Sequence, residues 1–197
     1  MNTFIKICGL RSAADVAAAV AAGANAVGFV FSDSVRKVTP AQARQATANL
    51  DVRVRRVAVM RHPDNELCRR VIEEFAPDVV QTDADDFGGL QIPGHIECWP
   101  VFREGAAEVA TTGLYVYEGP RSGSGEKIDW ARAAEIARRG RMILAGGLAE
   151  DNVRLAVRTV RPWGVDVSSG VESLPGYKDH DLIKRFISAV RAAEKEL

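Results

Sequence analysis

The chain has 197 residues, of which 47% are hydrophobic and 26% charged, with 26 Lys+Arg balanced by 26 Asp+Glu. That balance argues against a general nucleic-acid or polyanion binder, which carries a basic excess. No apolar run approaches the roughly 20 residues that cross a bilayer, no signal-peptide pattern opens the chain, and the three cysteines form neither a disulfide framework nor a zinc-type pair. The expectation is one cytoplasmic domain over residues 1–197, with no membrane or nucleic-acid partner.

Short Val/Ile-rich runs, of the kind buried in parallel sheets, alternate with helical segments rich in Ala, Arg and Glu. The first strand is expected at Phe4 to Cys8, followed by a helix to Ala22 capped by Ser12. The second strand covers Ala26 to Phe31, and its helix starts at Thr39-Pro40, an N-cap followed by the first-turn proline. Val54 to Met60 and a helix over Asn65 to Phe75 make the third unit. After a fourth strand at Asp78 to Thr82, Gly88, Gly89, Pro93 and Gly94 break the helical pattern. The fifth strand, Glu97 to Phe102, precedes a short turn near 106–110. The sixth, Leu114 to Tyr117, leads through a Gly/Ser-rich loop to a helix over Asp129 to Arg138. Met142 to Leu144 with Glu150 to Thr159, and Gly164 to Val167 with His180 to Lys195, complete eight units. Eight strand–helix units favour a closed α/β (β/α)₈ TIM barrel of eight parallel strands over an open doubly wound sheet.

In such a barrel the active site forms at the C-terminal strand ends. Cys8 ends the first strand, where it reads either as a base or nucleophile or as a small core residue. Arg36, in the polar loop after the second strand, either forks onto a carboxylate or is solvated. Glu118 follows the sixth strand as a carboxyl at the mouth or an ordinary loop acid. The loop at 122–125 reads equally as a close backbone approach to a ligand or as a flexible connection. Ala145-Gly146-Gly147-Leu148 and Asp166-Val167-Ser168-Ser169-Gly170 follow the seventh and eighth strands. Small residues in both places point to a phosphate site more than to simple helix capping. Cys68 and Cys98 lie away from the expected mouth and read as structural.

Lys6-Ile7-Cys8-Gly9, residues 23–31, Ala145 to Leu148 with Asn152-Val153, and Asp166 to Glu172 with Pro175-Gly176 and Lys178-Asp179 together resemble phosphoribosylanthranilate isomerase. Gly123-Ser124-Gly125 with Asp129-Trp130 also fits, and the similarity spans nearly the whole chain. The resemblance implies an isomerase of tryptophan biosynthesis. Its reaction is the Amadori rearrangement of N-(5′-phosphoribosyl)anthranilate to 1-(2-carboxyphenylamino)-1-deoxyribulose 5-phosphate, without metal or cofactor, in a monomer or homodimer. It implies Cys8 as general base, Glu118 at the position of the family's acidic aspartate, and Arg36 on the anthranilate carboxylate. Asp166 would lie near the ribose, with Gly146, Gly147, Ser168, Ser169 and Gly170 around the phosphate.

Two positions depart from the family pattern. Glu118 adds a methylene to the acid. Asp83 stands where a histidine lines the site, so an anion is expected beside an anionic ligand, weakening binding. These departures motivate two other readings: a same-scaffold sugar-phosphate isomerase with a shifted substrate, and a non-catalytic paralogue that binds a phosphorylated ligand.

Overall fold

The computed structural model describes residues 2–105, 113–120 and 128–197. Eight parallel strands close into a barrel in chain order: β1 (Phe4–Cys8), β2 (Ala26–Val30), β3 (Arg55–Val59), β4 (Val79–Asp83), β5 (Glu97–Arg103), β6 (Leu114–Glu118), β7 (Arg141–Leu144) and β8 (Gly164–Val167). Pairing of β1 with β8 seals the sheet, with Lys6 in register with Asp166.

Among the described residues the α-helices are α1 (Ala13–Ala22), α2 (Pro40–Ala46), α3 (Asn65–Phe75), α4 (Trp130–Ala137), α5 (Glu150–Val160) and α6 (His180–Glu194). The caps act where the sequence places them. Ser12 accepts from the Asp15 amide, and Thr39 forms a reciprocal capping box with Gln42 ahead of Pro40. Where glycines break the pattern after β4, the chain makes only a 3₁₀ segment, Ala84–Gly89, in place of a helix. The turn expected near 106–110 and the loop at 122–125 lie outside the described residues.

The period-2 alternation of the strands divides the apolar side chains into two cores. Ile5, Val27, Phe29, Val80, Tyr115, Leu144 and Val165 point outward and are buried under the helices. Ala26, Val57, Val79, Trp99, Leu114, Val116 and Ile143 fill the barrel interior. At the N-terminal end Phe4 stacks on Trp163 at 4.7 Å and meets Trp99 edge-on at 5.8 Å, so that end is plugged by aromatic rings. Polar groups in the interior therefore collect at the opposite mouth.

Most expected strands shift by a residue or two at their ends. The main addition is a hairpin beyond β8. After a 3₁₀ turn at Ser169–Val171, β9 (Glu172–Leu174) pairs antiparallel with β10 (Tyr177–Lys178). Pro175-Gly176 makes its turn, with Gly176 at φ +84°. Strands of three and two residues leave too short an alternation to be recognised in the sequence.

Candidate active site

A cavity of about 220 Å³ opens at the C-terminal mouth, lined by Cys8, Arg36, Asp83, Arg103, Glu118 and Asp166 together with the loops after β7 and β8. Lys6 and Cys8 lie two residues apart on β1, on its interior side. Gly28 on β2 makes room for both: a Cβ there would come within 3.0 Å of Lys6 Cε and 3.1 Å of Cys8 Sγ. Lys6, fully buried, donates to Asp166 Oδ2 at 2.6 Å. The other Asp166 oxygen, Oδ1, is buried with no hydrogen-bond partner among the described residues. Gln81 Oε1 and Asp83 Oδ2, on two further residues that line the cavity, are likewise buried without a hydrogen-bond partner among the described residues, so the mouth holds several open acceptors. Burial pushes the Cys8 thiol above its ordinary value, while the ammonium groups of Lys6 and Lys178 pull it back.

On the opposite wall, three adjacent strand ends carry Asp83, Arg103 and Glu118. Glu118 and Arg103 are in register between β5 and β6. Arg103 Nη1 donates to Glu118, and Nη2 donates to Asp83 Oδ1 at 2.6 Å. Asp83 is thus an anion at the mouth, as expected, but not an isolated one: Arg103 bridges it to Glu118, one cation between two carboxylates. The sequence reading missed Arg103 because it placed the end of the fifth strand one residue early, outside the interior alternation. His62 adds a third contact, with Nε2 3.5 Å from Asp83 Oδ2 and Nδ1 3.0 Å from Asp86 Oδ1. These three side chains are near enough to share a cation, but Arg103 already supplies positive charge to Asp83.

Arg36 reaches over the end of β1. Gly9 sits at φ +72°, and a Cβ on it would lie 2.6 Å from Arg36 Cδ, so only glycine accommodates the arginine stem. The guanidinium makes a two-pronged ion pair with Glu172, Nε to Oε1 at 2.7 Å and Nη2 to Oε2 at 2.8 Å. Lys178, its side chain fully buried, donates to the same Glu172 at 2.6 Å and to the Ser168 carbonyl at 2.9 Å. Although burial opposes ionisation, these cations hold the Glu172 carboxyl down to about 2. Glu172 and Lys178 belonged to quoted motifs without an assigned role, because the unrecognised hairpin is what brings them to Arg36.

The expected phosphate loops adjoin each other at the rim. Gly146 and Gly147 take positive φ after β7. Asn152 braces that loop, donating to the Gly147 carbonyl at 2.8 Å and accepting from the Ala149 amide at 3.0 Å. Ser168 and Ser169 line the cavity from the β8 side. Gly170 sits behind it: a Cβ there would lie 1.9 Å from the Leu148 carbonyl oxygen, so the two loops meet at backbone contact distance. Cys68 is buried on α3, and Cys98 is exposed on β5, both outside this cavity.

A closed (β/α)₈ barrel whose titratable side chains converge at the C-terminal mouth is the architecture of a barrel enzyme. The sequence matches the family model for N-(5′-phosphoribosyl)anthranilate (PRA) isomerase over residues 5–189. The chain belongs to this family. It is 36% identical to N-(5′-phosphoribosyl)anthranilate isomerase of Bordetella petrii, over 100% of this chain and 99% of that one. Among solved structures it resembles phosphoribosyl anthranilate isomerase from Thermus thermophilus, with TM-score 0.83, 29% identity, 96% of this chain and 99% of that one covered. It also resembles a phosphoribosyl anthranilate isomerase in complex with reduced 1-(o-carboxyphenylamino)-1-deoxyribulose 5-phosphate, with TM-score 0.80, 30% identity and coverage of 96% and 99%.

Proposed function

We infer from the family and the site that the chain is the isomerase of tryptophan biosynthesis that converts N-(5′-phosphoribosyl)anthranilate to 1-(2-carboxyphenylamino)-1-deoxyribulose 5-phosphate. The observation that carries the assignment of roles is the meeting of Cys8, Arg36, Glu118 and Asp166 at one mouth, beside two adjoining glycine and serine loops. Glu118, in its protonated form, gives its proton to the furanose ring oxygen, and Arg103 holds the carboxylate that results. The C1′–oxygen bond breaks, the nitrogen lone pair forms the protonated Schiff base, and the ring opens. Cys8 as thiolate removes the C2′ proton, and the electrons left behind give the enolamine. Protonation at C1′ with loss of the C2′ hydroxyl proton then yields the ketone. Arg36 holds the anthranilate carboxylate, Asp166 Oδ1 accepts a ribose hydroxyl, and the loops at Gly146-Gly147 and Ser168-Ser169 take the phosphate, with Gly170 behind them. Asp83 shapes the wall through Arg103. The catalytic unit is the whole barrel, as a monomer or homodimer.

The shifted-substrate reading rested on the altered residues 81–86, and the pairing of Asp83 with Arg103 weakens it, because the aspartate is tied into the wall and not presented alone. The non-catalytic reading rested also on the broken helix after β4, but the barrel closes without it. Purified protein is expected to consume freshly generated N-(5′-phosphoribosyl)anthranilate, followed as loss of its fluorescence. A folded protein without turnover above background overturns the assignment.

The phosphate site has its own test. Gly170→Ala forces the β8 loop off the Leu148 carbonyl, and misplacement on the order of 1 Å costs as much as about 100-fold in rate. The expected result is a KM raised by about tenfold or more, with weaker inhibition by inorganic phosphate. Unchanged KM and unchanged phosphate inhibition would show that this loop does not hold the phosphate.

A further inference from the structure

We propose that Glu172 is the positioning residue for Arg36: it fixes the edge of the guanidinium that faces the cavity and so selects ligands whose aromatic ring carries a carboxylate. The proposal rests on the reading of Arg36 as the carboxylate's partner. A guanidinium is a planar set of five N–H donors with two edges able to grip a carboxylate bidentately: a side edge, Nε with one Nη, and an end edge made by the two Nη atoms. Glu172 occupies the side edge completely. The end edge remains: no bond from Nη1 to another described residue accompanies the pair, and Arg36 lines the cavity. With the stem passing over Gly9 and the side edge gripped, the plane has little freedom to roll.

The surroundings of Glu172 fit this task. Its side chain is 4% exposed and accepts from four donors: Arg36 Nε and Nη2, Lys178 Nζ, and the Gly176 amide at 3.2 Å. A carboxylate held in this way stays charged throughout the range in which the enzyme works. The hairpin that carries it has Leu174 and Tyr177 exposed, so it adds little to the apolar core. What β9 and β10 do contribute is Glu172 and Lys178, and Lys178 ties the same carboxylate to the Ser168 carbonyl. The carboxylate pocket and the β8 loop are thereby braced from one point.

The test uses binding of two probes: reduced 1-(o-carboxyphenylamino)-1-deoxyribulose 5-phosphate, and the same compound built on aniline, which lacks the ring carboxylate. Glu172→Gln keeps the side-chain shape and an acceptor for Lys178 but gives up the charge-paired grip on Arg36. It is expected to weaken the carboxylated probe about tenfold and the aniline probe less than about twofold. Arg36→Met should show at least the same selective loss, and the double variant no more than Arg36→Met alone, because Glu172 acts through Arg36. Glu172→Asp, which keeps the charge but retracts it, gives a smaller loss of the same selectivity, and it decides the matter if Glu172→Gln does not fold. If Arg36→Met weakens both probes alike, the reading of Arg36 is wrong. If Arg36→Met is selective but the Glu172 variants weaken both probes equally or neither, Glu172 only staples the hairpin and the proposal falls.

Discussion

Cys8→Ala is expected to lower kcat/KM by about 10²–10⁴-fold, the range that a positioned general base contributes. The loss should fall on kcat more than on KM, since the role proposed for the thiol is at the C2′ proton and not at the groups that hold the ligand. The pH profile carries the same information with a definite sign. Burial raises the Cys8 thiol above its ordinary value, so the base form is scarce at neutral pH and grows as pH rises. For the native protein kcat/KM should therefore climb toward alkaline pH, by about tenfold per unit until the thiol titrates. Cys8→Ala should remove that limb. Steady-state rates from about pH 6 to 10 check both statements, and an alanine variant that keeps the rate or the alkaline limb places the base elsewhere.

Lys6→Met has the largest expected effect on stability. Lys6 is fully buried and Asp166 nearly so, and their 2.6 Å contact is the only cation–carboxylate pair across the β1–β8 seam among the described residues. Removing the ammonium leaves a buried carboxylate with its charge uncompensated, and breaking such pairs from one side costs about 3–5 kcal/mol. Urea unfolding of Lys6→Met measures it. Lys6→Met with Asp166→Asn should recover much of the loss, because the stranded charge is then gone as well. A single variant no less stable than the double one would mean that Asp166 is neutral or solvated in the folded protein.

The sequence made the barrel legible because the information there is local. Short apolar runs mark the strands, and Ser12, Thr39 and Asp129 mark helix starts that the structure caps with those side chains. The mouth was legible in part for the same reason, since Cys8, Asp166 and Glu118 are placed by the strands that carry them. Contacts between distant segments were not. Asp83 read as an added negative charge, but its partner Arg103, 20 residues on, was not foreseen. Arg36 looked solvated or ligand-directed, while its partner Glu172 lies 136 residues away on a hairpin too short for a pattern. Gly170 read as a phosphate contact, and the sequence did not show that the Leu148 carbonyl behind it leaves no room for a side chain. Strand identity follows from neighbouring residues, whereas charge partnership depends on how the strands close.

Lys6 and Asp166 also fix when the enzyme comes into being. They are 160 residues apart in the chain but face each other across the joint where β1 meets β8. On the ribosome the strand that carries Lys6 and Cys8 emerges near the start and its counterpart almost at the end, and domains are completed from the N-terminus onward. Until β8 is made, the ammonium beside Cys8 has no carboxylate and the mouth has no rim on that side. A chain that stops before β8 lacks the carboxylate partner of Lys6 and one wall of the mouth, because the last barrel strand to arrive completes both.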